Sequence, residues 1–299
     1  MSILLTGGAG FIGSHIADIL ISNNYDVVVV DNLATGKREN VNNNAKFYEI
    51  DIREPVLEKA FQENNIEYVI HEAAQASVGA SMANPVYDMS VNIAGTLNLL
   101  NLSAKYGVKK FVAASTAAVY GCPEYLPVDE KHPVSCFSFY GLSKYTMEQY
   151  IKLMGEANRL DYIIFRYSNV YGQRQDAHGE AGVVSIFLDK MKGGQSVEIH
   201  GDGSQTRDFI NVADIARANL LSIQSECKNR IINLSNCSQI SINELFNTIK
   251  NITGYDKSPV YTAPRAGDIK DSCLDNTLAR ELLGWNPEVS LKDGLLSCI

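Results

Sequence analysis

A tyrosine and a lysine four residues apart, Tyr140 and Lys144, lie near the start of the amphipathic stretch SFYGLSKYTMEQYIKLM. At that spacing two side chains share one face of a helix, so a phenol and an ammonium meet. A phenol with a free pKa near about 10 is a poor base at neutral pH. A neighbouring cation favours the phenolate and makes the group a usable acid/base. Upstream, ASTAAVYG ends an apolar run with two hydroxyls, Ser115 and Thr116, followed by Ala117 and Ala118. Hydroxyls can orient or pass a proton; the alanines can do neither.

A second constellation stands at the N-terminus. TGGAGFIGSH sets Gly7, Gly10 and Gly13, with Phe11 and Ile12 between the last two, after an apolar run and into an amphipathic one. In that strand–turn–helix context the glycines permit a tight turn and close backbone approach to a pyrophosphate, while the helix N-terminus favours the anion. The next apolar run, DVVVVD, ends at Asp31, followed by Asn32. A carboxylate there accepts from adenine ribose hydroxyls and repels a 2′-phosphate, so the cofactor expected is NAD rather than NADP. Asp51 and Ile52, after a third run, are placed to flank the adenine.

These residues need elements to position them. SILLT, DVVVVD, KFYEI, YVIH, KFVAAS and YIIFR are short and apolar throughout, as strands covered on both faces should be. Between them run amphipathic segments such as GSHIADILISNN and PVLEKAFQENN, where Pro55 suits a first helical turn. Strands alternating with helices predict an α/β fold with a doubly wound parallel sheet. After about residue 167 the rhythm breaks into Gly-rich turns and short mixed elements, with SINE at 241–244 fitting a capping box. The expected organisation is a dinucleotide-binding domain over 1–166, with later contributions from about 205–240. Residues 167–299 mostly form a smaller, discontinuous mixed α/β lobe.

Bulk composition narrows the partners. The chain has 299 residues, 45% hydrophobic, with a net charge of −8, which speaks against nucleic acid or an anionic membrane. No stretch approaches the ~20 apolar residues of a membrane span, and MSILLTGGAGF is expected to be a first strand rather than a signal peptide. Six scattered cysteines without metal-ligand spacing predict reduced thiols, no metal site and a cytoplasmic protein.

Taken in order, TGGAGFIG, HEAAQ, ASTAAVYG, YGLSK, RYSNVYG and GDGSQTRDFINVADIA resemble the extended short-chain dehydrogenase/reductases that act on nucleotide sugars. Within them the chain is most similar to UDP-glucose and UDP-N-acetylglucosamine 4-epimerases. The resemblance spans nearly the whole chain and implies a Rossmann fold with a C-terminal substrate lobe. It makes Tyr140 the acid/base, Lys144 its electrostatic partner, and Thr116 the hydroxyl bridging Tyr140 to the sugar. Ser115 would support the nicotinamide or substrate, Ala73 and Ala74 would let the cofactor approach, and Asn92 would hold it; Tyr140 and Lys144 would also touch it. His71 is expected to be a strand-end residue. Asn169, Arg207 and Arg265 match diphosphate contacts, Asp268 the carboxylate near the uridine ribose, and Val183 and His200 the enclosure of the uracil. Ser272 aligns with a position that is a bulky Tyr in epimerases restricted to glucose and galactose, so room for an N-acetyl group is expected. By the same resemblance, helices around 93–106 and 141–158 pair across a homodimer.

In the dehydratase branch of that family an acid and a base follow the Thr, as elimination of water requires. Ala117 and Ala118 occupy those positions here. The expectation is therefore reversible hydride transfer at carbon 4 of a UDP-hexose, an NAD-dependent isomerase. A net nucleotide-sugar oxidoreductase, a UDP-uronic acid 4-epimerase and a non-catalytic binding protein stand as alternatives.

Overall fold

The computed structural model describes residues 1–177, 182–264 and 269–299. Six parallel strands come in sequence: β1 (Ser2–Thr6), β2 (Asp26–Asp31), β3 (Lys46–Glu49), β4 (Ile66–His71), β5 (Lys110–Thr116) and β6 (Asp161–Tyr167). Helices α1 (Phe11–Ser22), α2 (Glu58–Gln62), α3 (Val78–Ala83), α4 (Pro85–Met89), α5 (Thr96–Lys105) and α6 (Phe139–Asn158) lie between them. The later chain supplies β7 (Asn169–Tyr171), α7 (Val183–Lys192), β8 (Glu198–His200), β9 (Thr206–Arg207), β10 (Phe209–Asn211), α8 (Val212–Gln224) and β11 (Arg230–Leu234). It ends with β12 (Ile240–Ser241), α9 (Ile242–Thr253), β13 (Val260–Thr262), α10 (Thr277–Leu283) and α11 (Leu291–Ser297).

The main sheet has seven strands in the order β11-β6-β5-β4-β1-β2-β3, all pairings parallel. From β1 the chain winds outward through β2 and β3, then returns to the other side of β1 as β4. That reversal opens a crevice at the C-terminal ends of β1 and β4, where α/β sheets bind ligands. The glycine turn and the HEAA stretch both lie there.

Apolar side chains alternate to the two faces of this sheet and build two cores. One joins Ile3 and Leu5 to Ile16 and Leu20 of α1, Ile215 of α8 and Trp285. The other joins Leu4 and Val69 to Leu57, Leu99, Met147 and Ile151. Ala279, Leu283 and Trp285 belong to the first core, so a segment late in the chain returns to cover α8 and β11. Trp285 is fully buried and donates its indole N–H to the Asp214 carbonyl at 2.9 Å. A third core, including Phe187, Leu245, Phe246 and Tyr255, holds α7, α9 and the short strands together. There β8 pairs with β13 and β9 with β12, contacts that join distant parts of the sequence. Ser241 and Glu244 form the expected capping box at the start of α9.

Candidate active site

At the glycine turn, Gly7 has φ +73° and a Cβ there would lie 2.6 Å from the Ala73 nitrogen. Only glycine lets the turn and the segment after β4 come this close. Gly10 then caps α1 without a side-chain hydrogen bond, and the helix has no acidic residue in its first turn. The amides of the helix start, at Phe11, Ile12 and Gly13, are thus left to an anion. This cradle fits the pyrophosphate of a dinucleotide.

Asp31 sits at the end of β2, its carboxylate accepting from the Ala9 amide at 2.9 Å and the Leu33 amide at 2.8 Å. Burial pushes its pKa up, and the two amides offset part of that. Each oxygen keeps a lone pair for a further donor. Next to it, Asn32 donates to Asp51 at 2.9 Å, and Arg53 grips the same carboxylate. The Arg53 hydrogen bonds hold Asp51 down to about 2, so it stays ionised throughout the working range. Ile52 is buried behind them.

The second constellation forms where β5 ends against α6. Thr116 Oγ1 accepts from the Ala118 amide at 3.1 Å and caps a 3-10 turn over Ala117–Val119. Its own O–H remains to be donated. Gly141 lets this turn lie against the start of α6, for a Cβ there would stand 2.8 Å from the Ala118 carbonyl. Ser138 N-caps α6 by accepting from the Gly141 amide at 3.0 Å, so Tyr140 lies in the first turn, half-buried. One turn on, Lys144 is buried and donates to the Ala114 carbonyl of β5 at 2.8 Å. Its charge is felt by His71 and Glu72 across the sheet end. Thr116, Tyr140 and Lys144 are thereby gathered at one junction.

Two residues expected to face the cofactor have other partners. Ser115 is buried and donates its hydroxyl to Glu148 at 2.5 Å, because the β-strand alternation turns it away from the Thr116 side. Asn92 is also buried, within a π-helical stretch, Ser90–Gly95. Its oxygen accepts from the Gln75 amide, and its nitrogen donates to the Gln75 carbonyl, Asp88 and Ser143. Asn92 therefore holds the segment after Ala73 and Ala74 in place and ties it to α6.

His71 is a buried strand-end residue with an assignable tautomer. Thr96 donates to the Asn92 carbonyl, so it must accept from His71 Nε2–H at 2.8 Å. Thr6 accepts from the Ala73 amide and donates to His71 Nδ1 at 2.7 Å. Burial, with the Lys144 charge, lowers its pKa to about 3 and keeps it neutral. The neighbouring Glu72 was missed from sequence. It accepts from the Tyr167 hydroxyl at 2.8 Å, and Asn219 donates to the same oxygen of Tyr167. Burial pushes the Glu72 carboxyl up to about 7, against the pull of Tyr167 and Lys144.

On the far side of the crevice, Asn169 is exposed on β7, and Arg207 on β9 is half-buried and donates to the Thr206 carbonyl. Val183 is the first residue of α7. His200 Nδ1 and the Thr262 hydroxyl lie 2.8 Å apart on the paired strands β8 and β13. His200, Gln205, Tyr261, Pro264, Ile269 and Lys270 line part of a cavity of about 760 Å³. Arg265 and Asp268 lie outside the described residues. Ser272 is half-buried on a segment that Asp208 organises by accepting from the Leu274 and Asn236 amides. Burial raises the Asp208 carboxyl to about 6.

Residues 3–235 match the family described as "NAD dependent epimerase/dehydratase family". The UDP-glucose 4-epimerase of Mycolicibacterium smegmatis is 37% identical over 305 residues, covering 100% of this chain and 97% of that protein. Among solved structures, the UDP-glucose 4-epimerase of Thermotoga maritima with UDP-glucose superposes with a TM-score of 0.97 at 49% identity, covering 99% of this chain and 97% of the other. The UDP-N-acetylglucosamine 4-epimerase of Methanobrevibacter ruminantium, in complex with UDP-N-acetylmuramic acid, gives 0.94 at 36%, with 99% and 96% covered. With the sheet order, the glycine cradle and the Thr116–Tyr140–Lys144 junction, these likenesses make the chain a member of the NAD-dependent epimerase/dehydratase family.

Proposed function

We propose that the chain interconverts a UDP-hexose and its 4-epimer through a transient 4-keto sugar, with NAD as bound cofactor. The observation that carries this reading is the junction of β5 and α6. It provides a phenol, a buried ammonium and one hydroxyl, and the two residues after Thr116 are Ala117 and Ala118, which supply neither the acid nor the base of an elimination. Tyr140 takes the proton of the 4-hydroxyl through Thr116 and, once the ketone has turned its other face to the hydride, returns a proton to the same oxygen. The Lys144 ammonium stabilises the phenolate between these events. Bound NAD supplies the hydride acceptor and donor, so net turnover consumes no reductant. Gly7, Gly10 and the start of α1 hold its pyrophosphate, Asp31 its adenine ribose, and Asp51 with Ile52 the edge of its adenine.

Asn169, Arg207 and Arg265 hold the diphosphate of the substrate, Asp268 the ribose, and Val183 with His200 the uracil. Anchoring by the nucleotide leaves the sugar free to turn over and present either face. The small Ser272 supports acceptance of N-acetylated as well as plain hexoses. In this division the dinucleotide belongs to 1–166 with parts of 205–240, and the sugar nucleotide to the remaining lobe. The six free thiols support a reducing, cytoplasmic setting.

The test is an NMR assay of purified protein with UDP-glucose and, separately, UDP-N-acetylglucosamine, with no reductant added. Many turnovers to the galacto epimer per bound NAD are expected with both. A stoichiometric keto sugar with stalled NADH would replace this reading by a net oxidoreductase.

A further inference from the structure

Directly beneath the acid/base junction lies an ion pair almost cut off from water. Glu148 of α6 is fully buried, and Arg166 of β6 is 3% exposed. Arg166 Nε donates to Glu148 Oε1 at 2.9 Å and Nη2 to Oε2 at 2.6 Å, a bidentate grip. The Ser115 hydroxyl adds a bond to Oε1 at 2.5 Å, and Ser115 and Arg166 are register partners on β5 and β6. The Tyr120 ring covers the guanidinium, its centroid 4.7 Å from Arg166 Cζ.

Stability does not account for such a pair, since its desolvation cancels much of its attraction and apolar replacements are often as stable. Its position is informative instead. Tyr140, Lys144 and Glu148 follow one another at intervals of one helical turn on α6. Lys144 and Glu148 are pinned to consecutive residues of β5, Ala114 and Ser115, and Thr116 comes next. Left to itself, a carboxylate four residues from a lysine pairs with it. We infer that Arg166 is a positioning residue for the acid/base pair: by taking both oxygens of Glu148 it reserves the Lys144 ammonium for Tyr140. The inference rests on the roles proposed above for Tyr140 and Lys144.

Other titratable groups face this region. His71 and Glu72 come from β4 and its end, Tyr167 from β6, and Tyr120, Glu130 and Cys136 from the segment between β5 and α6. They are the same in every variant considered, so a difference between variants is not theirs.

The experiment uses NAD-bound protein carrying ¹³C at tyrosine Cζ, with the Tyr140 resonance identified by its loss in Tyr140→Phe. In Arg166→Met the Tyr140 titration midpoint should rise by about one pH unit, as expected when a buried carboxylate turns on the neighbouring ammonium. Arg166→Met combined with Glu148→Gln should bring it back to the wild-type midpoint, and Glu148→Gln alone should lower it. At pH 7, kcat of Arg166→Met should fall about tenfold with KM within about twofold, recovering towards alkaline pH. A folded Arg166→Met protein with the wild-type midpoint, or no restoration in the double variant, overturns the inference. If Arg166→Met does not fold, Arg166→Lys decides, since an ammonium cannot hold both oxygens in one fork, and an unmoved midpoint there overturns it as well. Wild-type protein that titrates but does not epimerise would refute the proposed function, while the resonance still judges the role of Arg166.

Discussion

At Thr116 the proposed chemistry rests on a side chain that the fold already holds. Its oxygen accepts the Ala118 amide, which fixes the rotamer, and its proton remains available to the sugar or Tyr140. Thr116→Val keeps the shape and removes both bonds, so kcat should fall by about 10²–10³-fold, with NAD still bound by absorbance of the purified protein. The proposed substrate breadth is tested at another single residue: Ser272→Tyr should lower kcat/KM for the N-acetylated sugar by at least ~10-fold while sparing UDP-glucose. Glu72 gives a prediction in pH. Its carboxyl is raised from 4.5 to about 7 in the folded protein, so its proton-linked stabilisation is full below pH 4.5 and is lost as pH rises through 7. Glu72→Gln cannot titrate but still accepts from Tyr167. Its stability relative to wild type should therefore improve by on the order of 2 kcal/mol between pH 5 and pH 8 in urea unfolding; an unchanged difference would place the ionised carboxylate comfortably in the fold. The residues readable from sequence were those with a local pattern, such as Tyr140 with Lys144. Glu72 and Tyr167, or Ser115 and Glu148, meet over separations of 95 and 33 residues, and nothing local announces such a pair.

At the scale of elements, the junction depends on how closely the Ala117–Val119 turn lies against α6. A methyl at Gly141 would meet the Ala118 carbonyl at 2.8 Å, a backbone atom that cannot swing aside. Gly141→Ala should displace Thr116 from Tyr140 and lower kcat about tenfold, although alanine favours the helix itself. An unchanged kcat would show that the turn can slide without harm. The first six strands of the parallel sheet could be read in advance as short apolar runs, most of them covered on both faces, whereas β11, which opens on the exposed Arg230, was not. α1 and α6 were readable from their amphipathic pattern. The π-helical stretch Ser90–Gly95 was not, because what it achieves is tertiary: it brings the Asn92 side chain to Gln75 and Ser143. The pairing of β8 with β13 lay equally out of reach, since each is only three residues long and its partner is some sixty residues away.

For the molecule as a whole, α6 carries the proposed acid/base pair and, on its other side, exposed apolar residues. Its inner face carries Lys144, Met147, Glu148 and Ile151, all buried. Its outer face carries Leu142 and Leu153, eleven residues apart and so on one stripe, with Leu153 65% exposed. Packed beside it, α3 and α4 add Met82, Val86 and Met89, with Val86 69% exposed. The outward apolar residues thus lie in 78–89 and 141–158. The stretch 93–106, expected to share the contact, buries Leu99, Leu100 and Leu102 in the core. Exposed apolar residues on adjacent helices are what an interface between two copies would cover. Wild type should therefore run at twice the 32.8 kDa chain mass by light scattering at micromolar concentration. Leu142→Glu with Leu153→Glu should run at one chain mass, because four carboxylates would be brought together across a two-fold axis. Wild type running at one chain mass would remove the homodimer from the reading. The activity of the split protein then says what the assembly does. If kcat persists within about twofold, the buried contacts of α6 with β5 suffice to hold Tyr140 and Lys144, and the second copy only covers apolar surface. If kcat falls while NAD is retained, the partner braces α6, and the geometry of the acid/base pair is a property of the dimer.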